Sequence, residues 1–272
     1  MAVTGNETAT YTFGYGAPSG GTGNTSFKMP YSNETISPSP GTNLYSGKSA
    51  ASAFCPRNGG ITSFPSGDKE RWFDSSSGTP NASYTGCGMI PGITDKVYKS
   101  DYSAETQAEL PSSSLPGSRY NRGTLQSITV GYWFSGYNPG YSTTNNCDKL
   151  IFATETAAAV PGVNMGSAAF QEGNPGTTTA GYASGGSMPG PERSAHAGTN
   201  MNKLTYSSET SSVIPGAVDH HPGHNPPKNL TNGGGTSDGT NGYWFWGEDG
   251  GWYDSYVEKL SLIHISEPTR PY

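Results

Sequence analysis

KMPYSNET (28–35), KSDYSAET (99–106), KLIFATET (149–156) and KLTYSSET (203–210) are four versions of one stretch, and their reading decides the fold. The shared pattern is Lys, two residues, an aromatic, a small residue, any residue, then Glu-Thr. A fifth version begins at Lys259-Leu260 and breaks off. Self-similarity at a fixed period marks a repeat architecture, in which each unit buries its faces against its neighbours. Successive lysines stand 71, 50, 54 and 56 residues apart. The long first interval holds either an insertion or a degenerate unit around Lys69 to Thr79.

Other features keep phase with these copies. Gly-Tyr pairs at 14–15, 131–132, 181–182 and 242–243 precede them, and Pro-rich stretches at 38–41, 111, 161–162 and 215–216 follow. Pro fixes φ and Gly supplies positive φ, so these stretches predict chain reversals. One unit therefore reads as three or four short strands divided by turns. No stretch sustains a 3.6-residue period; ATETAAA (153–159) supports at most one helical turn before Pro161. In GYWFW (242–246), Tyr243 and Phe245 point to one face and Trp244 and Trp246 to the other. A strand aromatic on both faces suits a sheet packed between two others.

Composition fits a turn-rich β protein. The 272 residues include 39 Gly and 21 Pro, and only 13% are charged. Aliphatic residues are few, but 17 Tyr, 9 Phe and 5 Trp can build a core from rings. A net charge of −6 with no basic cluster excludes nucleic acid as a partner. No apolar run reaches the length of a membrane span, and the N-terminal stretch lacks the pattern of a signal peptide. Cys55, Cys87 and Cys147 have no CxxC spacing, so they read as buried small residues, with a Cys55–Cys87 bridge as the competing reading.

The units resemble kelch repeats, which place a Gly-Gly doublet before an aromatic, an acid-threonine pair and a Pro-rich turn. Gly185-Gly186, Tyr206, Glu209-Thr210 and Pro215-Gly216 carry that order here, and Gly20-Gly21 and Gly250-Gly251 precede other copies. The Trp usual after Glu-Thr is replaced by Ile36, Gln107, Ala157 and Ser211. That departure turns the likeness towards the kelch-like repeats of phage tail-fibre and marine metagenome proteins. The resemblance implies an all-β array of about fifty-residue units over 1–259, forming a β-propeller or an incomplete one. It further implies a non-enzymatic structural or receptor-binding segment of a tail fibre, located in the virion. Its partners would be a host-surface glycan or protein, or other virion proteins. A bacterial cell-surface or secreted kelch-like interaction module is the alternative. Exposed strand edges leave the array open to homo-oligomerisation or continuation in a longer chain. The tail from 260 to 272, with LSLIHISEPTR, is similar to a translated sequencing adapter and is set aside from the fold.

Chemistry-bearing clusters are few. Asp219, His220, His221 and His224 offer imidazole and carboxylate ligands for Zn or Ni, against the reading of a solvated loop. Trp252 and Tyr253, on a Gly-rich stretch, are candidates to stack on sugar rings, against the reading that they pack on the next sheet. Glu34, Glu105, Glu155 and Glu209 recur in every unit, which points to a structural carboxylate holding turn N–H groups. No GxSxG elbow or phosphate loop is present, and no cofactor is expected.

Overall fold

The structure is a computed structural model that describes residues 2–5, 9–13, 26–30, 32–43, 52–54, 82–86, 95–111, 113–119, 122–140, 144–165, 176–183, 200–218, 234–237, 240–245, 248–249, 252–253 and 257–261. These form small antiparallel sheets, none closed into a barrel. Among the described residues there is no α-helix, only one 3-10 turn at Pro40–Thr42. Among the described residues no helix is long and apolar enough to cross a membrane.

The first sheet comprises β1 (Ala2–Gly5), β2 (Ala9–Phe13), β3 (Ser26–Pro30) and β4 (Ser37–Pro38), adjacent in that order. The second repeats the plan with β5 (Ser52–Phe54), β6 (Ala82–Gly86), β7 (Val97–Asp101) and β8 (Thr106–Glu109). The third follows with β9 (Gly123–Gln126), β10 (Val130–Phe134), β11 (Asn146–Ile151) and β12 (Thr156–Asn164). The fourth has β13 (Ala180–Ala183), β14 (Asn200–Thr205) and β15 (Thr210–Val218), with a single bridge from Gly176 to Gly181 ahead of them. The fifth joins β16 (Gly234–Ser237), β17 (Asn241–Phe245) and β20 (Val257–Ser261); the hairpin of β18 (Glu248–Asp249) and β19 (Trp252–Tyr253) lies between β17 and β20 in the chain. In each sheet the motif lysine falls on the strand paired with the tyrosine-bearing one.

Sequential sheets pack on one another. β1 approaches β5, β5 approaches β9, and β9 approaches β13, while β12 lies against β15. The core therefore sits between sheets. Leu150, Trp133 and Leu115 of the third sheet and its entry loop meet Tyr84 and Val97 of the second. On the other face Leu125, Tyr132, Phe134, Cys147, Val160, Val163 and Met165 meet Ala183, Leu204 and Tyr206 of the fourth. Alternation along β10 produces this, sending Trp133 back and Tyr132 and Phe134 forward. Trp133 and Phe134 have no exposed surface.

One expectation changes. Pro161-Gly162 and Pro215-Gly216 do not reverse the chain; they lie within the nine-residue strands β12 and β15. Both strands are at sheet edges, and the register slips there, from Asp148 opposite Ala159 to Asn146 opposite Asn164. An edge bulge needs no donor from Pro, which is how the strand tolerates it. Only the first two units turn at this point, through the 3-10 turn and at Pro111. Thr156–Ala159 of ATETAAA is strand, preceded by a turn, in keeping with the lack of a sustained helical period.

Candidate functional site: a clasp between sheets

The ladders place a tyrosine directly opposite the motif lysine in every sheet. The pairs are Tyr11 with Lys28, Tyr84 with Lys99, Tyr132 with Lys149, Tyr182 with Lys203 and Tyr243 with Lys259. Residues directly opposite in an antiparallel pair share a face. In the second and third sheets both side chains lean towards the motif glutamate of the following sheet.

That glutamate closes the turn after the lysine strand. Glu34, Glu105, Glu155 and Glu209 all adopt a left-handed backbone, with φ of 52°, 49°, 52° and 48°. The turn N–H groups have other acceptors: Asp101 Oδ1 accepts from the backbone N–H of Ser103 and Ala104, and Asn33 Oδ1 from that of Thr35. The carboxylates instead reach the preceding sheet. Lys28 Nζ donates to Glu105 Oε1. Lys99 Nζ lies 2.5 Å from Glu155 Oε1, and Tyr84 donates its hydroxyl to the same oxygen at 2.9 Å. Lys149 Nζ reaches both Glu209 oxygens at 2.7 Å, and the Tyr132 hydroxyl lies 3.3 Å from Oε1.

The backbone of the same glutamate is held as well. Gly41 of the first sheet abuts the Glu105 carbonyl, leaving no room for a Cβ. Ser113 Oγ donates to the Glu155 carbonyl oxygen. A Cβ on Gly162 would stand 2.9 Å from the Glu209 carbonyl. The Pro-containing segments thus serve one role at three successive junctions, although only the first two form turns. The motif aromatic completes the contact. Phe152 stacks on Tyr84 with ring centres 5.6 Å apart, and Tyr206 stacks on Tyr132 at 5.7 Å. Stacked rings of this kind add about 1 kcal/mol to the area they bury.

Electrostatics follow from this geometry. Burial alone would raise the Glu155 carboxyl, but hydrogen bonds from Lys99 and Tyr84 and the Lys99 charge outweigh it, leaving the group below its ordinary value. Burial and the Glu209 carboxylate push the Tyr132 phenol well up. Burial, with Tyr132 and Tyr182 nearby, does the same to Tyr206. Both phenols stay neutral. The Cys147 thiol is buried and free, and that burial pushes it up to about 12.

One buried cluster was not legible in the sequence. Asp148, facing the second sheet beside Trp133, holds Arg122 Nη1 at 2.7 Å and Arg119 Nη1 at 3.3 Å. The Arg122 and Asp148 side chains are essentially without exposed surface. Charges so placed survive only because they are paired. Arg122 also donates to the Trp133 carbonyl, fixing the entry loop against β10.

The sequence candidates for ligand chemistry lie elsewhere. Trp252 and Tyr253 form β19, facing Asp249 and Glu248 across the hairpin. Asp219, His220, His221 and His224 lie outside the described residues, as do Cys55 and Cys87. Among the described residues no three His, Cys, Asp or Glu side chains gather as a metal site would require. No protein-family model matches this sequence, and no curated protein matches it.

A lysine, a tyrosine and a carboxylate in contact could in principle move protons. Recurrence decides against that role, because successive junctions carry the same lysine–glutamate contact and two of them the full triad. Glu155 and Glu209 are each spent on the lysine and tyrosine that fix them, and Glu105 on its lysine. What the arrangement does chemically is lock one sheet to the next.

Proposed function

We propose that the chain is a non-enzymatic kelch-like array, an incomplete propeller of fifty-residue units, acting as a structural and receptor-binding segment of a virion appendage such as a phage tail fibre. The observation that carries this reading is the division of labour within each unit. The recurring residues are consumed between sheets, while the segments that connect strands differ in length from unit to unit. Such a frame can vary its loops without loosening its joints, the arrangement expected of a surface that must track a changing receptor. The row of first strands in the first three sheets, β1 beside β5 beside β9, supports a shared axis of the kind a propeller has.

The test is retention of the labelled full chain on intact bacteria of many strains, together with a glycan array. Binding to some strains and not others, competed by a surface glycan or by removal of a surface protein, is expected. Absence of retention across a broad panel would sink the receptor-binding half of the proposal.

A further inference from the structure

The inner sheets hide the face they turn to the sheet before them. At the position preceding the motif lysine, Tyr98, Asp148 and Asn202 are 5%, 1% and 5% exposed. Two residues beyond the motif glutamate, Ala157 packs on the cluster of Tyr84, Trp133 and Leu150. At the same position Ser211 donates to the Asn164 carbonyl of the preceding sheet at 2.6 Å. In the first sheet these two positions are Phe27, 40% exposed, and Ile36, 70% exposed. Between them stands Glu34, exposed, in the same left-handed conformation as its counterparts, and without an ion pair among the described residues. The first sheet thus presents the acceptor half of a clasp, with apolar side chains flanking it.

The fifth sheet presents the donor half. Tyr243 and Lys259 are directly opposite, as the tyrosine and lysine are in every other sheet. The lysine is exposed, its Nζ 5.7 Å from the Tyr243 ring centre. It too makes no ion pair among the described residues.

We propose that the Phe27–Glu34–Ile36 face is a docking surface for the Tyr243–Lys259 face of a second copy of this chain, joined head to tail by the same clasp that joins its sheets. Charge complementarity and continuity with the internal junctions select that occupant. An exposed ion pair contributes little alone; burial of Phe27 and Ile36 supplies the remainder. The contact is heterologous, so successive copies chain or close into rings.

Sedimentation velocity on the full chain is expected to show a mass that rises with concentration in the micromolar range. Glu34→Lys and Lys259→Glu, each alone, bring like charges together and are expected to leave monomers. An equimolar mixture of the two variants should associate again, since every junction then joins opposite charges. Both side chains are exposed, and a far-ultraviolet circular dichroism spectrum matching the original chain verifies that each variant folds. Ile36→Glu gives a second route, weakening association through the apolar rim. A chain that stays monomeric at every concentration overturns the proposal. So does a mixture that fails to regain association, which would place the contact within a single molecule.

Discussion

Glu34, Glu105, Glu155 and Glu209 occupy a backbone region that normally favours Gly or Asn, with φ between 48° and 52°. Holding an L side chain there costs on the order of 1 kcal/mol. Gly would remove that cost but carries no carboxylate, and the carboxylate is what meets Lys99 and Tyr84 at Glu155. The local strain is therefore offset by a contact made with another sheet. Because Glu155 is held below its ordinary value of 4.5, its contribution is complete above that pH. It is lost as pH falls through the lowered native value, where the folded-state carboxylate finally takes up its proton. Glu155→Gln keeps the shape and deletes the charge. It is expected to cost about 1 kcal/mol near neutrality, for a pair that solvent partly screens. Urea unfolding of both proteins as a function of pH checks this: the gap should close in acid. A penalty that persists unchanged below the native value would show that the charge is not what stabilises the junction.

At the scale of the element, β6 and β10 meet where Gly86 lies against the Trp133 ring. A Cβ at Gly86 would stand 2.8 Å from Trp133 Cζ2 and 2.9 Å from Cε2, with the ring already fully buried. Gly86→Ala is expected to cost about 1–3 kcal/mol through overpacking. Gly140→Ala, which among the described residues meets only the Asn138 side chain at 3.4 Å, should stay within about 0.5 kcal/mol. Denaturation midpoints compare them directly, and equal effects would contradict the packing described. Strands and their alternation were legible because they are local patterns of period two. The partner of each motif residue was not. Lysine and glutamate stand six apart within a copy, yet Lys99 bonds Glu155, 56 residues on, because stacking between sheets sets the pairing. The tyrosine was only partly legible. Gly-Tyr marks Tyr132, Tyr182 and Tyr243, but the second sheet uses Tyr84 after Ser83, and the first uses Tyr11 rather than Tyr15. What that position needs is the tyrosine opposite lysine; the glycine before it is dispensable. The direct bond from Lys28 to Glu105 likewise joins the first and second sheets across the long first interval.

For the whole molecule, these contacts run from each sheet to the next, so stability should follow a nearest-neighbour rule. The third sheet has a partner on both faces, and Leu150, Trp133 and Phe134 have no exposed surface. Among the described residues the first has a partner sheet on one, and its Phe27 and Ile36 face solvent. Local opening should therefore be easiest at the ends of the array and hardest in its middle. Native-state hydrogen exchange is expected to be slowest in β10 and β11 and faster in β3. Lys99→Glu sets two negative charges against each other at one junction. It should speed exchange in the second sheet more than in the fourth, whose joint through Lys149 and Glu209 is untouched. Uniform exchange in both proteins would instead mean one cooperative block in which the junctions carry no separate weight. Protein concentration divides the remaining case. If copies dock on the first sheet, protection of β3 should rise on concentrating the original chain and stay flat in the Glu34→Lys variant, while β10 and β11 remain unchanged in both.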